Sequence, residues 1–204
     1  MTMQSWSLLY CLLFLLLVSR SGVAQTMETE MVAADEELSS CAIGAVSVED
    51  ACRGASETHY GVAYDHCVSS LGADPRSKDN DQGMHGLALL ATRMAADHAA
   101  ATESKMDDLS ELEPAEHARA RYAHCLEQYG TAADLLRDAL DNLKARIYGK
   151  AMEQIAAAMG ASESCEDAWN GLEDQSSSSI PVAEHDREYG RMAHIALGFT
   201  HAAA

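Results

Sequence analysis

The segment 121–169 reads RYAHCLEQYGTAADLLRDALDNLKARIYGKAMEQIAAAMGASESCEDAW, and its pattern decides the fold. Apolar positions in its first half recur at alternating steps of three and four residues, which is typical of one face of an α-helix. They are Tyr122, Cys125, Tyr129, Ala132, Leu136, Ala139 and Leu143. A second stripe with the same spacing is formed by Tyr148, Met152, Ile155 and Met159. The break at residues 144–149 predicts a turn between two antiparallel helices.

Two cysteines bracket this helical pair at equal distances from the predicted turn. Cys125 and Cys165 have their midpoint at residue 145. Residues equidistant from the turn of an antiparallel hairpin face each other, and a disulfide needs Cα atoms within about 7 Å of each other. The spacing therefore predicts a Cys125–Cys165 bond that joins the open ends of the two helices.

Residues 41–72 show the same symmetry on a smaller scale. They predict a short helical pair, with Cys52 and Cys67 on either side of Tyr60-Gly61. A Cys52–Cys67 bond is the first choice, and a Cys41–Cys52 bond is the alternative. The first choice leaves Cys41 unpaired or available for a disulfide-linked dimer.

Two further long helices complete the expected architecture. One spans about residues 79–109, between breaks marked by Pro75 and Pro114, and its stripe contains Leu87, Leu90, Met94, His98 and Ala101. The other spans 182–201, with His185, Tyr189, Met192, Ala196 and Phe199 on one face; the serine-rich run before it predicts a surface connection. We predict an all-α, up-down-up-down four-helix bundle, preceded by a short N-terminal helical hairpin and stabilised by two disulfides.

The first 24 residues have the features of a signal peptide. The apolar run LLYCLLFLLLV at 8–18 is too short for a regular membrane span, and Gly22-Val23-Ala24 is a suitable cleavage site. A membrane anchor is the alternative. Residues 25–40 form an acidic lead-in with five acids and no base. We therefore expect a secreted protein.

The charge restricts the partners. The chain carries a net charge of −18, and removing residues 1–24 with Arg20 leaves 13 basic against 32 acidic residues, a net charge of −19. Such a surface repels nucleic acid and anionic membranes, so we expect neither as a partner.

The sequence offers no catalytic or metal-binding pattern. It contains no Glu-x-x-His, Cys-x-x-Cys or Gly-x-Ser-x-Gly and no glycine-rich phosphate loop. His98, His124 and His194 are therefore interpreted as packed or solvated side chains. We expect no catalytic residue, no metal and no cofactor, and hence a protein that works by binding.

An ordered set of segments resembles the plant invertase and pectin methylesterase inhibitors. These segments are YDHCVSSLGADPRS, GLALLATRMAA, HCLEQYGTAADLLRDALDNL, SCEDAWNG and GRMAHIALGFT, and the resemblance covers about residues 46–203. It implies an inhibitor domain over 41–203, a four-helix bundle after a helical hairpin, and bonds matching Cys52–Cys67 and Cys125–Cys165. It also implies inhibition, in a tight 1:1 complex, of pectin methylesterase or of acid invertase.

The turn between the second and third bundle helices bears on the target. In the invertase inhibitors of this family, a Pro-Lys-Phe motif there enters the sucrose pocket, whereas this chain has Lys-Ala-Arg-Ile-Tyr-Gly-Lys at 144–150. The departure favours pectin methylesterase in the cell wall, with cell-wall or vacuolar invertase as the alternative and a non-inhibitory interaction protein as the second alternative. The candidate partner-binding residues are Lys144, Arg146, Tyr148 and Lys150; solvated charges, and a core position for Tyr148, are the competing interpretation.

Overall fold

A computed structural model describes residues 46–79, 83–170 and 181–204. Within these ranges the chain forms six α-helices, one 3-10 helix and no strand. They are α1 Val48–Thr58, α2 Tyr64–Ala73, the 3-10 helix Pro75–Asp79, α3 Gly83–Leu112, α4 Glu116–Lys144, α5 Tyr148–Asn170 and α6 Ala183–Ala203. The predicted signal peptide, the acidic lead-in, Cys41 and the serine-rich connection at 171–180 lie outside the described residues.

The four long helices form the predicted bundle. Each of α3, α4 and α5 packs against the helix that follows it, and α6 completes the ring by packing against α3. Only three residues separate α3 from α4, and three separate α4 from α5, so these neighbours are antiparallel. The up-down-up-down architecture is therefore confirmed.

Helix α4 buries the face that its sequence predicts. All seven positions of the first stripe are buried, from Tyr122 to Leu143. The stripe consists of two tyrosines, two leucines, one cysteine and two alanines, and the small alanines let neighbouring helices approach closely. This helix supplies a large part of the apolar core.

Only one of the four predicted stripe positions of α5 is fully buried, although Tyr148 and Met159 also pack against the core. Ile155 is buried, but Tyr148, Met152 and Met159 are only half-buried. The buried face instead consists of Ala151, Ile155, Ala158, Ala161, Cys165 and Trp169. The bond to Cys125 orients Cys165 toward α4. The positions that precede Cys165 at helical spacing are mostly these alanines, so they share its buried face. The two methionines therefore lie at the edge of that face.

The predicted apolar stripes of α3 and α6 differ from the observed buried faces at fewer positions. In α3, Ala101 is exposed and His98 half-buried, because the buried face continues instead through Ala95, Ala99, Thr102 and Met106. In α6, His185 is exposed and the neighbouring Asp186 is buried. The other predicted positions of α6 are buried as expected: Tyr189, Met192, Ala196 and Phe199.

A polar contact explains the buried Asp186. The hydroxyl of Tyr129 in α4 donates a hydrogen bond to the Asp186 carboxyl group in α6. Nearby, the Tyr189 hydroxyl donates to the carbonyl oxygen of Ala158 at 2.5 Å. Burial raises the pKa of both tyrosines, so their hydroxyls stay protonated and connect three bundle helices.

The N-terminal hairpin packs mainly against α6. Ser47 caps α1 by accepting a hydrogen bond from the Asp50 backbone N–H at 3.0 Å, and the Cys52–Cys67 bond joins α1 to α2 with Cα atoms 5.7 Å apart. This bond leaves no Cys52 thiol for the alternative pairing with Cys41. The hairpin approaches α6 closely at Gly198, where an added Cβ would lie 3.4 Å from Val62.

Candidate functional site

The turn between α4 and α5 has a defined backbone geometry. The Arg146 N–H donates to the Leu143 carbonyl and the Ile147 N–H donates to the Asn142 carbonyl, both at 2.8 Å. This pair of bonds is the Schellman motif, which closes the end of a helix and requires a left-handed residue that is usually glycine. Here that residue is Arg146, with φ 58°. A position that is usually a glycine, without a side chain, therefore carries a long cationic side chain here.

Side chains connect this turn to the first turn of α3. The Arg146 guanidinium donates to the Tyr148 hydroxyl at 3.2 Å, and that hydroxyl lies 3.0 Å from His85 Nδ1. The rings of Tyr148 and His85 meet edge to face, with centroids 5.8 Å apart. Burial, and secondarily Arg146, lowers the pKa of His85, which favours the neutral imidazole in this contact.

The outer surface of the turn is basic and partly apolar. Lys144, Arg146 and Lys150 are all exposed, and only Lys144 has an ion-pair partner among the described residues, Asp141 at 2.7 Å. Ile147 lies between them with 51% of its surface exposed. On a chain of net charge −18, this surface is a local concentration of positive charge around an apolar side chain.

The structure thus brings the four predicted binding residues to one end of the bundle. Tyr148 is half-buried and bonded, so it orients the turn more than it offers free surface. Sequence reasoning missed His85 and Ile147. Ile147 could have been identified from the sequence, because it is an apolar residue within a basic turn. His85 could not, because its contact with Tyr148 joins residues 63 positions apart.

The hairpin that carries the turn is braced at both ends. Close to the turn, the Asn142 side-chain amide donates to Gln154 Oε1 at 2.8 Å across the two helices. At the open end, the Cys125–Cys165 bond brings the Cα atoms to 4.9 Å. A surface held in this way loses little conformational entropy when it binds a partner.

Elsewhere the described residues show no arrangement typical of catalysis. They contain no group of three or more His, Cys, Asp or Glu side chains placed to hold a metal ion. His124 is 3.0 Å from the Ser164 hydroxyl, without a third group in contact. His98 lines an open cavity of about 280 Å³ beside Arg76, whose guanidinium bridges Asp74 and Asp97.

In the part of the chain that the structure describes, none of the helices has the length and apolar character needed to cross a bilayer. The fold defines a structural class: an all-helical bundle closed by disulfides.

Comparison with known proteins defines the class more closely. The model of the plant invertase/pectin methylesterase inhibitor family matches residues 46–198. This chain belongs to that family.

Individual relatives agree with this assignment. A protein of Platanus acerifolia named "Putative invertase inhibitor" is 28% identical over 161 residues, which cover 78% of this chain and 86% of the relative. A protein of the same name from Platanus orientalis is 27% identical, covering 78% and 90%.

Two solved structures share the fold. A mutant form of a pectin methylesterase inhibitor from Arabidopsis has a TM-score of 0.62 at 16% identity, covering 74% of this chain and 95% of its own. A pectin methylesterase inhibitor from Arabidopsis thaliana has a TM-score of 0.53, also at 16% identity, covering 76% and 97%. At this identity the likeness concerns the fold alone.

Proposed function

We propose that this chain inhibits a plant pectin methylesterase by binding over the active-site cleft in a 1:1 complex. Membership of the inhibitor family supports inhibition as the activity. The observation that favours pectin methylesterase is the α4–α5 turn, which carries Ala-Arg-Ile-Tyr at 145–148 where the invertase inhibitors of this family have Pro-Lys-Phe.

Acid invertase is the second candidate target. Both Platanus relatives are named as invertase inhibitors, and they match 78% of this chain. The exposed Arg146 and Ile147 present a cation and an apolar side chain at the tip of the turn, the same two kinds of chemistry as Lys and Phe.

The proposal includes the location and processing of the chain. Residues 1–24 are removed as a signal peptide, and the inhibitor domain at 41–203 follows an acidic lead-in in the cell wall. The protein has no catalytic activity of its own. Cys41, left without a partner by the Cys52–Cys67 bond, is free as a thiol or joins two copies; thiol titration with non-reducing electrophoresis distinguishes these states.

Titration against both enzymes tests the proposal. Increasing amounts of the purified mature protein are added to pectin methylesterase, followed by methanol release, and to acid invertase, followed by glucose release. We expect methanol release to fall to its minimum at one inhibitor per enzyme, with glucose release unchanged. The reverse result identifies invertase as the target, and no effect on either enzyme at micromolar excess supports a non-inhibitory interaction protein. Hydrolysis by the chain alone, abolished by changing one Ser, Cys or His, would make it an enzyme.

Arg146→Gly tests whether the turn contacts the target. Glycine suits the left-handed φ of this position, so the change removes the guanidinium while the stability stays equal or rises by up to about 1 kcal/mol. We expect inhibition to weaken about tenfold, as for the loss of one interfacial charge. Lys105→Ala, at an exposed position of α3, is the control and should inhibit normally. An Arg146→Gly protein with full potency would remove the turn from the contact surface.

A further inference from the structure

Two half-buried imidazoles meet where the N-terminal hairpin packs on α6. His59 follows the end of α1, and His194 lies in α6; their ring centroids are 5.8 Å apart, with the planes tilted by 52°. His59 Nε2 and His194 Nδ1 are both buried, and neither has a hydrogen-bond partner in the described ranges. Buried polar atoms without a partner are uncommon in native proteins and call for a physical explanation.

The space around these rings is tight. Gly61 has φ 101°, and an added Cβ there would lie 2.6 Å from His194 Nδ1. On the other side of the contact, a Cβ on Gly198 would lie 3.4 Å from the Cβ of His59. A side chain at Gly61 would therefore have to displace the His194 ring, whereas a Cβ at Gly198 would be in ordinary van der Waals contact with the hairpin.

A proton on His194 would place a positive charge in this contact next to another imidazole. Burial, and then the proximity of His59, lowers the pKa of His194 from its ordinary value of 6.5. The packed state therefore favours the neutral His194 ring and holds fewer protons than the separated state, so packing weakens as the pH falls below 6.5.

The other titratable groups along this contact do not supply the missing counter-charge. On α6, Glu188 forms an ion pair with Arg191 at 3.2 Å. On α2, His66 lies 3.5 Å from Glu188, yet burial lowers its pKa more than Glu188 raises it, and both Arg191 and His98 of α3 lower it further. On α5, Glu166 acts on Asp186, which lies two turns from His194. Acid thus weakens the contact at His66 as well.

Release of the hairpin would break no covalent bond. The Cys52–Cys67 disulfide lies within the hairpin, and the Cys125–Cys165 disulfide lies within the bundle. The bundle can therefore keep its internal structure while the contact opens, whereas the short helices of the hairpin, which bury few side chains of their own, then lose protection.

We propose that the α1–α2 hairpin separates from α6 when His194 takes up a proton, so that mildly acidic conditions open this contact while the four-helix bundle stays folded. The device requires only the two adjacent imidazoles, the tight contact at Gly61 and the absence of a disulfide between hairpin and bundle. It does not depend on which enzyme the protein inhibits.

Hydrogen exchange of the full mature protein at pH 7.5 and pH 4.5 tests the proposal. Protection factors, corrected for intrinsic exchange, are compared between peptides of α1–α2 and peptides of α4. We expect protection of α1–α2 to fall about tenfold or more at pH 4.5, while protection of α4 does not fall. Equal protection of α1–α2 at both pH values would overturn the proposal.

Neutral side chains at the two positions provide the decisive variant. The double change His59→Gln, His194→Gln should remove the pH dependence of α1–α2 protection, whereas His185→Gln, at an exposed position of α6, should retain it. Unchanged pH dependence in the double variant would overturn the proposal. If the double variant is already open at pH 7.5, titration of the His194 ring protons in the unmodified protein by NMR decides: a midpoint below 6.5 supports the proposal, and a midpoint at or above 6.5 contradicts it.

Discussion

The bundle and the N-terminal hairpin each contain one disulfide, but the two bonds do different things. In the bundle, the bond closes a segment with a sequence separation of 40 residues and joins two long helices whose faces form the core. In the hairpin, the bond closes a separation of 15 residues and joins two short helices with few buried side chains. A disulfide stabilises the segment that it encloses, so the position of the hairpin depends on its contacts with the bundle, which are mainly those with α6.

The largest expected effect comes from removing the bundle disulfide. Replacing Cys125 and Cys165 by alanine should lower the free energy of unfolding by about 4 kcal/mol, on the loop-entropy scale for 40 residues. Replacing Cys52 and Cys67 by alanine should lower the free energy of unfolding of the hairpin by about 3 kcal/mol and leave that of the bundle unchanged. Denaturant unfolding followed by circular dichroism measures the first effect, and hydrogen exchange of α1–α2 measures the second. A similar fall in the unfolding midpoint for both pairs would show that the two regions unfold as one unit.

A change at Gly61 should separate the hairpin from α6 without touching a disulfide. Gly61→Ala places a Cβ 2.6 Å from His194 and adds strain at a positive φ, so we expect about 2 to 3 kcal/mol of lost packing. Gly54→Ala is the matched control, because its Cβ meets no atom within 4 Å and alanine favours the helix. Exchange of α1–α2 at pH 7.5 should rise for Gly61→Ala and not for Gly54→Ala. Equal exchange in both variants would mean that the contact at Gly61 does not hold the hairpin.

The bundle should respond to pH with the opposite sign from the hairpin. Burial, reinforced by Glu166, raises the pKa of Asp186 to about 6, against an ordinary value of 3.8, although the hydrogen bond from Tyr129 acts in the other direction. The stability that this carboxyl group contributes is therefore complete below about pH 4 and is lost as the pH rises through about 6. We expect a loss of about 2 kcal/mol between pH 4 and pH 7.5, measured by urea unfolding of the bundle.

Asp186→Asn keeps an acceptor for Tyr129 and removes the titration, so the unfolding midpoint of this variant should vary less with pH. Glu184→Gln, at an exposed position in the same turn of α6, is the control and should keep the dependence of the unmodified protein. A steeper loss of stability in Asp186→Asn than in the control would rule out Asp186 as the source.

The sequence predicted helices well where large apolar side chains mark the buried face, and less well where alanines do. The stripe of α4 contains two tyrosines and two leucines, and every predicted position is buried. In α5 the buried face consists largely of alanines, so the more hydrophobic Met152 and Met159 suggested the wrong orientation. The predicted bond between Cys165 and Cys125 indicated the correct orientation, because it fixes which side of α5 faces α4.

The position of the α4–α5 turn was predicted from sequence, but its internal geometry was not. The break in the stripes placed the turn within residues 144–149, in agreement with the structure. The left-handed Arg146 could not be predicted, since this position of a Schellman motif is normally recognised by a glycine. The roles of His85 and Asp186 were not predicted for another reason: each contacts a tyrosine more than 50 residues away in the sequence.

The position of the bundle disulfide has a practical consequence for protein engineering. Cys125 and Cys165 each lie 20 residues from Ala145, so the covalent closure is remote from the tip of the turn. Residues 145–147 can then be exchanged for other short sequences without disturbing the bond or the buried face of α4. The domain is suited to displaying libraries of constrained loops, from which inhibitors of new enzymes could be selected.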